Sequence, residues 1–316
     1  NRYVGIGTDK FLLIYFEGQI FDITPWRSNP NGTQVTFTSS TLATTSASNK
    51  TCIVTTGTAH GLVIGDMIVL DSVTLPSGTG LSNADFEDKL FQVLSVPSTT
   101  TFTIDSLNQA SAVISTGGSM TVQPYVHIGP AEQTYGYGFG VGPYGGSTGW
   151  GIAVQASTVT LEPGLWSLNN YGDVLIATIA NGKTFTWDSS IAARLTTRAS
   201  QLTTSYETIL NPVASRATLV SPTTRHLIHL GTTTDNADED TQDDMFIRFS
   251  SAEAINEYTV QAVNSAGTFR LQDGTKIIGA LNAKETILIW TDNSLYTMKF
   301  VGSPFTFGFE QVGTNC

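Results

Sequence analysis

From Lys276 to Val312 the sequence divides into four short strands with nothing left over, and few folds accept such a run. Lys276-Ile-Ile-Gly-Ala-Leu281 and Thr286-Ile-Leu-Ile-Trp290 are apolar runs too short for ordinary helices. Asp292-Asn293 stands where a tight hairpin needs residues that tolerate positive φ. Beyond it Tyr296, Met298 and Phe300 alternate with Leu295, Thr297 and Lys299, the period of two of a half-buried strand. After Gly302-Ser303-Pro304 the alternation resumes as Phe305, Phe307 and Phe309. Four strands joined by loops too short for a helix make an antiparallel meander, the size and order of one β-propeller blade.

The same pattern recurs upstream. Arg2 to Ile6, Phe11-Leu-Leu-Ile-Tyr-Phe16 and Gln19 to Ile23 place a hairpin at Glu17-Gly18. Asp173-Val-Leu-Ile-Ala177 leads through Asn181-Gly182, the strongest short hairpin signal in the chain, to Thr184-Phe-Thr-Trp-Asp188. Arg225 to Leu230 leads through an acidic loop to Met245-Phe-Ile-Arg-Phe249. Val174 to Leu227 spans 53 positions and Leu227 to Ile277 spans 50, a period suited to four-stranded blades. Val4 to Val174 spans 170, too many for one period, so the sequence predicts an insertion. A shift to Ser- and Thr-rich composition places it at 31–122, between Pro and Gly clusters, with the blades in 1–30 and 123–316. Ser82-Asn-Ala-Asp85 inside it has the residues to cap one short helical turn.

Two resemblances follow from these residues. Ile277 to Leu281, Leu288 to Asp292, Leu295 to Phe307 and Gln311 to Cys316 together resemble a stretch of the β-propeller hub or nozzle proteins of short-tailed bacteriophages. The insert, with His60-Gly-Leu, Gly65-Asp66 and Thr101-Phe-Thr-Ile104, resembles the small β-barrel module first described in ubiquitin-activating enzymes, in which these are turn and core positions. The first resemblance implies a structural, non-catalytic virion tail protein, assembled in the host cytoplasm as a homo-oligomeric ring around the DNA exit channel. Its partners would be tail adaptor and fibre proteins, with genomic DNA passing through without sequence-specific binding. It also implies that such chains continue past Cys316. The expected fold class is all-β: blades of four-stranded antiparallel meanders, with a small β-barrel inserted.

Charge and composition narrow the alternatives. A net charge of −11 opposes non-specific attraction to nucleic acid, which depends on Lys and Arg. The longest purely apolar run, Phe11 to Phe16, is far below the roughly 20 residues of a spanning helix, so no membrane segment is expected. Cys52 and Cys316 make neither a disulfide framework nor a metal-ligand cluster. Asn31-Gly-Thr33 and Asn49-Lys-Thr51 fit the glycosylation pattern, which carries weight only in a secreted chain.

No catalytic, cofactor-binding or metal residue is assigned. Gly140-Val-Gly-Pro-Tyr-Gly145 has the letters of a dinucleotide fingerprint without the strand and helix that give it meaning. The surrounding run from Tyr135 to Gly151 suits a loop that approaches another surface closely. The acidic stretch Asp235 to Asp244 reads as a solvated hairpin tip, a loose cation site or a carboxylate pair, and Asp238, Glu239 and Asp240 are candidates for an acidic channel wall. His226 and His229, three apart in a strand, fall on opposite faces, one expected packed and one exposed; His60 reads as a turn residue, and His127 follows a Pro-Tyr loop. Trp187 and Trp290 end equivalent strands and are expected to be buried between blades. Against the tail-structural reading stand a glycan- or receptor-binding propeller and a propeller enzyme such as a glycosidase.

Overall fold

A computed structural model describes residues 2–29, 32–129, 133–134, 158–159, 164–202, 212–234 and 241–314. The chain is all-β, as its turn-rich composition implies, and no described helix is long and apolar enough to cross a membrane. It divides into two compact units: Asn1–Phe21 with Ile128–Arg194 and Leu202–Cys316, and Asp22–His127 with Leu195–Gln201.

The first unit is a series of antiparallel meanders. Strands β1 (Val4–Gly7), β2 (Leu12–Phe16) and β3 (Gln19–Asp22) follow in order, and the turn at Glu17-Gly18 has positive φ at both residues (49° and 85°), as a primed hairpin requires. A short antiparallel pair joins Gln133–Thr134 to Thr158–Val159. Trp166–Tyr171, Val174–Ile179 and Thr184–Asp188 are the leading strands of the next blade. Ser215–Val220, Leu227–Thr232, Phe246–Phe249 and Gly267–Arg270 form another. Ile277–Asn282, Thr286–Thr291, Ser294–Gly302 and Thr306–Thr314 form the last, with all four strands and the Asp292-Asn293 turn where the sequence places them.

Leu227–Thr232 is buried at all six residues because it packs on both faces. Ile228 and Leu230 join Ile247 and Phe249 against Ile287, Ile289, Tyr296 and Met298 of the last blade. Leu227 turns the other way, toward Ile176 of the preceding blade. Polar side chains fasten the same stack: Asn169 Nδ2 and Ser167 Oγ donate to Thr218 O at 2.7 and 3.1 Å, and Asn282 Nδ2 donates to Val220 O at 2.9 Å. Sheets packed face to face in chain order are the propeller-like arrangement that the meanders imply.

The repeat needs one correction. Val174 and Leu227 each open the second strand of a blade, whereas Ile277 opens the first. The equivalent second strand begins at Thr286, 59 residues after Leu227, because the middle blade carries long connections after Thr232 and Phe249. Periodicity in apolar runs cannot tell first from second strands when both are apolar.

In the second unit β4 (Phe37–Thr44), β5 (Thr51–Thr55), β6 (Met67–Thr74), β7 (Lys89–Gln92), β8 (Ser95–Ser98), β9 (Thr101–Asp105) and β10 (Gly117–Pro124) form one antiparallel sheet in the order β7-β6-β10-β4-β5-β9-β8. Leu42, Val54, Ile68, Leu70, Phe91, Phe102, Ile104 and Val122 meet in a single core. β7 and β9, five places apart in the order, come within 8 Å of each other, so the sheet curls round its core like a barrel. Ser82 caps the one-turn 3₁₀ helix Asn83–Asp85 in a capping box with Asp85, which places the fully buried Phe86 in that core.

Bending β10 between two partners requires Gly118 at φ +71°, where a Cβ would lie 2.2 Å from Thr74 O. Gly118→Ala should lower stability by roughly 2–4 kcal/mol, read as a lower urea midpoint. A midpoint unchanged from wild type would mean that the bend tolerates a side chain.

Candidate functional site

Two side-chain constellations of the second unit combine chemistry with access. In the first, the chain from Ile23 to Ser28 runs beside Val35 and Ala199, with Val35 N bonded to Arg27 O at 2.8 Å and Ala199 N to Ile23 O at 2.9 Å. These segments wall a cleft of about 390 Å³ lined by Trp26, Ser28, Gln34, Arg198, Ser200 and Gln201, among others. The Arg198 guanidinium lies 4.3 Å from the Trp26 ring centre and 4.5 Å from that of Tyr125, a double cation–π stack. Its Nη1 donates to Asp22 Oδ2 at 3.1 Å and Thr24 O at 2.8 Å, and its Nη2 to Tyr125 Oη at 2.6 Å. Tyr125 Oη donates to Asp22 Oδ2 at 2.6 Å. Burial, and then the bond to the Asp22 carboxylate, push the phenol well above its usual range, so it stays protonated and holds that bond. Ser28 Oγ donates to Gln201 Oε1 at 2.5 Å and ties two walls together.

In the second constellation, Asp66 is almost wholly enclosed, with its side chain 3% exposed. His127 Nδ1 lies 2.8 Å from Oδ1, while Arg27 Nη2 and Val63 N donate to Oδ2 at 2.7 and 3.0 Å. Burial pushes the Asp66 carboxyl up, but the His127 bond, the Arg27 charge and the Val63 N–H together hold it below the ordinary carboxylate value. A half-exposed histidine on a buried carboxylate is the arrangement of a general base. Among the described residues no hydroxyl is bonded to its other ring nitrogen, so no nucleophile completes the set. The sequence placed His127 after a loop and Asp66 in a turn and did not single out Arg27, and nothing in their spacing foretold the contact.

The remaining histidines are structural, and one expectation fails. His226 and His229 are both buried, at 1% and 0% exposure, not one packed and one exposed. His226 precedes the strand, where alternation does not apply, and bonds Thr224 Oγ1 and Ser265 Oγ at 2.7 and 3.0 Å. His229 joins Ser215 Oγ and Tyr258 Oη, each at 2.8 Å, in a sealed polar chain. Burial drops His226 to a pKa of about 4, and burial with the Arg248 charge drops His229 to about 3. His60 belongs to its turn, but its ring is buried, accepting from Leu62 N at 2.9 Å and standing edge-on to Phe102.

The tryptophans also divide. Trp187 is buried at 3% and donates to Arg194 O at 2.9 Å. Trp290 is only half-buried, contrary to expectation, because it shares a face with Leu288, opposite the Ile287 and Ile289 that enter the core.

Asp243 and Asp244 of the acidic stretch are engaged, by Arg270 Nε at 2.6 Å and Arg216 Nη1 at 3.3 Å. Asp235 to Asp240, the run from Tyr135 to Gly151 with its fingerprint letters, Asn31 and Cys316 lie outside the described residues. Cys52 is a free, buried thiol, pushed up chiefly by burial. One carboxylate cluster escaped the sequence: Asp71, Glu87 and Asp88 bring oxygens within 4.8 Å of one another. Both Glu87 oxygens already accept backbone N–H groups, from Ser72 and Val73, which leaves a divalent cation little free donor capacity there.

No protein-family model matches the chain, and no curated protein matches it. Among solved structures, the phage phi92 endosialidase is similar at 12% identity, over 92% of this chain and 48% of that protein, with a TM-score of 0.21. The chain therefore spans about half of that protein's length. A TM-score that low falls short of a shared fold.

Proposed function

We propose that this chain is a structural subunit of a bacteriophage tail, forming with its own copies a ring of the hub or nozzle and performing no catalysis. The observation that carries the reading is the second face of the last blade. One face packs Ile287, Ile289, Tyr296 and Met298 into the core. The other presents Leu288, Trp290 and Leu295, half-buried, with Leu281 at 59% exposure paired beside Leu288. A sheet apolar on both faces is built to lie between two layers, and in a tail ring the second layer is a neighbouring subunit. The resemblance of Ile277 to Cys316 to tail propellers supports the same assignment.

At micromolar concentration the chain should form closed rings in negative-stain micrographs, and Leu281→Asp with Trp290→Asp should disperse them while the thermal melt of the subunit stays cooperative. It should also show no duplex DNA binding at about 50 mM salt, where phosphate contacts are strongest. A monomer at those concentrations, rings indifferent to both substitutions, or tight DNA binding would each overturn the proposal.

A further inference from the structure

The cleft beside Trp26 has the make-up of a small-molecule site. Its volume of about 390 Å³ falls within the range of ligand pockets, with room for about two sugar rings. Its lining pairs one aromatic wall, Trp26, with the hydroxyls of Ser28 and Ser200 and the amides of Gln34 and Gln201. An aromatic face accepts the C–H side of a pyranose, while amides and hydroxyls serve its equatorial hydroxyls as both donors and acceptors. The walls are fixed in advance: Arg198 is stacked against the Trp26 ring, and Ser28 is bonded to Gln201 across the cleft. Little ordering cost therefore remains for a ligand to bear.

Charge decides the class of saccharide. Among the described residues Arg198 is the one charged side chain in the lining, and its guanidinium already serves Asp22, Thr24 O and Tyr125 Oη. A carboxylate, sulfate or phosphate on the ligand would meet no uncommitted cation, in a chain of net charge −11. We propose that this cleft binds a neutral saccharide of about two rings, stacked on Trp26 and hydrogen-bonded by Gln34 and Ser200.

The test is saturation-transfer NMR on the full chain with chitobiose, cellobiose and lactose, and with sialyllactose as the acidic arm. Transfer to at least one neutral disaccharide is expected, stronger than to sialyllactose. Gln34→Ala should weaken it about tenfold, in line with loss of a central contact. Ser200→Trp, at an exposed position, should fill the cleft and abolish the transfer while the thermal melt stays cooperative. Transfer to none of the neutral sugars, transfer to sialyllactose alone, or transfer that survives Ser200→Trp would overturn the assignment. The inference does not rest on ring formation, so a chain that stays monomeric leaves this test intact.

Discussion

Lowering the pH from 7.5 toward 4 should unfold this protein through its two buried histidines before most carboxylates are protonated. His226 and His229 have folded pKa values depressed to about 4 and about 3, against 6.5 in an unfolded chain. Above about pH 6.5 both states carry neutral rings, and the stability is present in full. As pH falls below that value the unfolded chain takes up protons that the folded chain refuses. Each histidine then lowers stability by about 1.4 kcal/mol per pH unit, on the order of 3 kcal/mol apiece by pH 4. Together that is comparable with the whole stability of many domains. Urea titrations at pH 7.5, 6, 5 and 4.5 would trace the loss. His229→Gln should be less stable at pH 7.5, having lost the bonds to Ser215 and Tyr258, yet its pH slope should be shallower by about one histidine. An unchanged slope would show that the sealed chain does not govern the acid limb.

Trp187→Ala should cost about 3–5 kcal/mol, because the indole is enclosed and its N–H bonds Arg194 O. Tyr3 stands edge-on to that ring at 5.4 Å and stacks on Phe16 at 4.6 Å, so the cavity would open beneath the N-terminal sheet as well. Trp290→Ala, on the half-exposed face, should cost about 1 kcal/mol in the isolated subunit. Denaturation midpoints of the two variants, measured side by side, test the contrast; equal losses would contradict the assignment of faces.

That contrast also marks how far the sequence could be read. Strand identity in the last blade was legible because alternation and turn residues are local signals. Glu17-Gly18 turns with the positive φ its chemistry allows. Asp292-Asn293 turns at the expected place without positive φ at either residue, its turn held instead by Thr291 Oγ1, which accepts from Asn293 N and Ser294 N. Which face of Thr286–Thr291 meets the core was not legible, since Leu288 and Trp290 are as apolar as Ile287 and Ile289. Only the packing of the preceding blade distinguishes them. The Arg198 cleft was hidden for a different reason: Asp22, Trp26, Tyr125 and Arg198 stand up to 176 positions apart, and no local pattern links them. His226 and His229 were misjudged because alternation predicts an exposed side chain only where one face of the strand meets solvent, and Leu227–Thr232 is packed on both.

The strand order of the second unit has a consequence for synthesis. β10, the last of its seven strands to leave the ribosome, lies in the interior of the sheet, hydrogen-bonded to β6 on one side and β4 on the other. Until residues 117–124 emerge, the nascent chain holds β4 with β5, β9 and β8 as one half and β6 with β7 as the other, each with a bare edge and an uncovered apolar face. Before then the halves meet only at their far side, where the continuous run from β7 into β8 pairs with β6 and with β9, so the gap between β4 and β6 stays open until β10 fills it in a late closure. During that interval the two open edges are its points of greatest exposure to wrong partners, including the same edges on neighbouring nascent chains of a polysome.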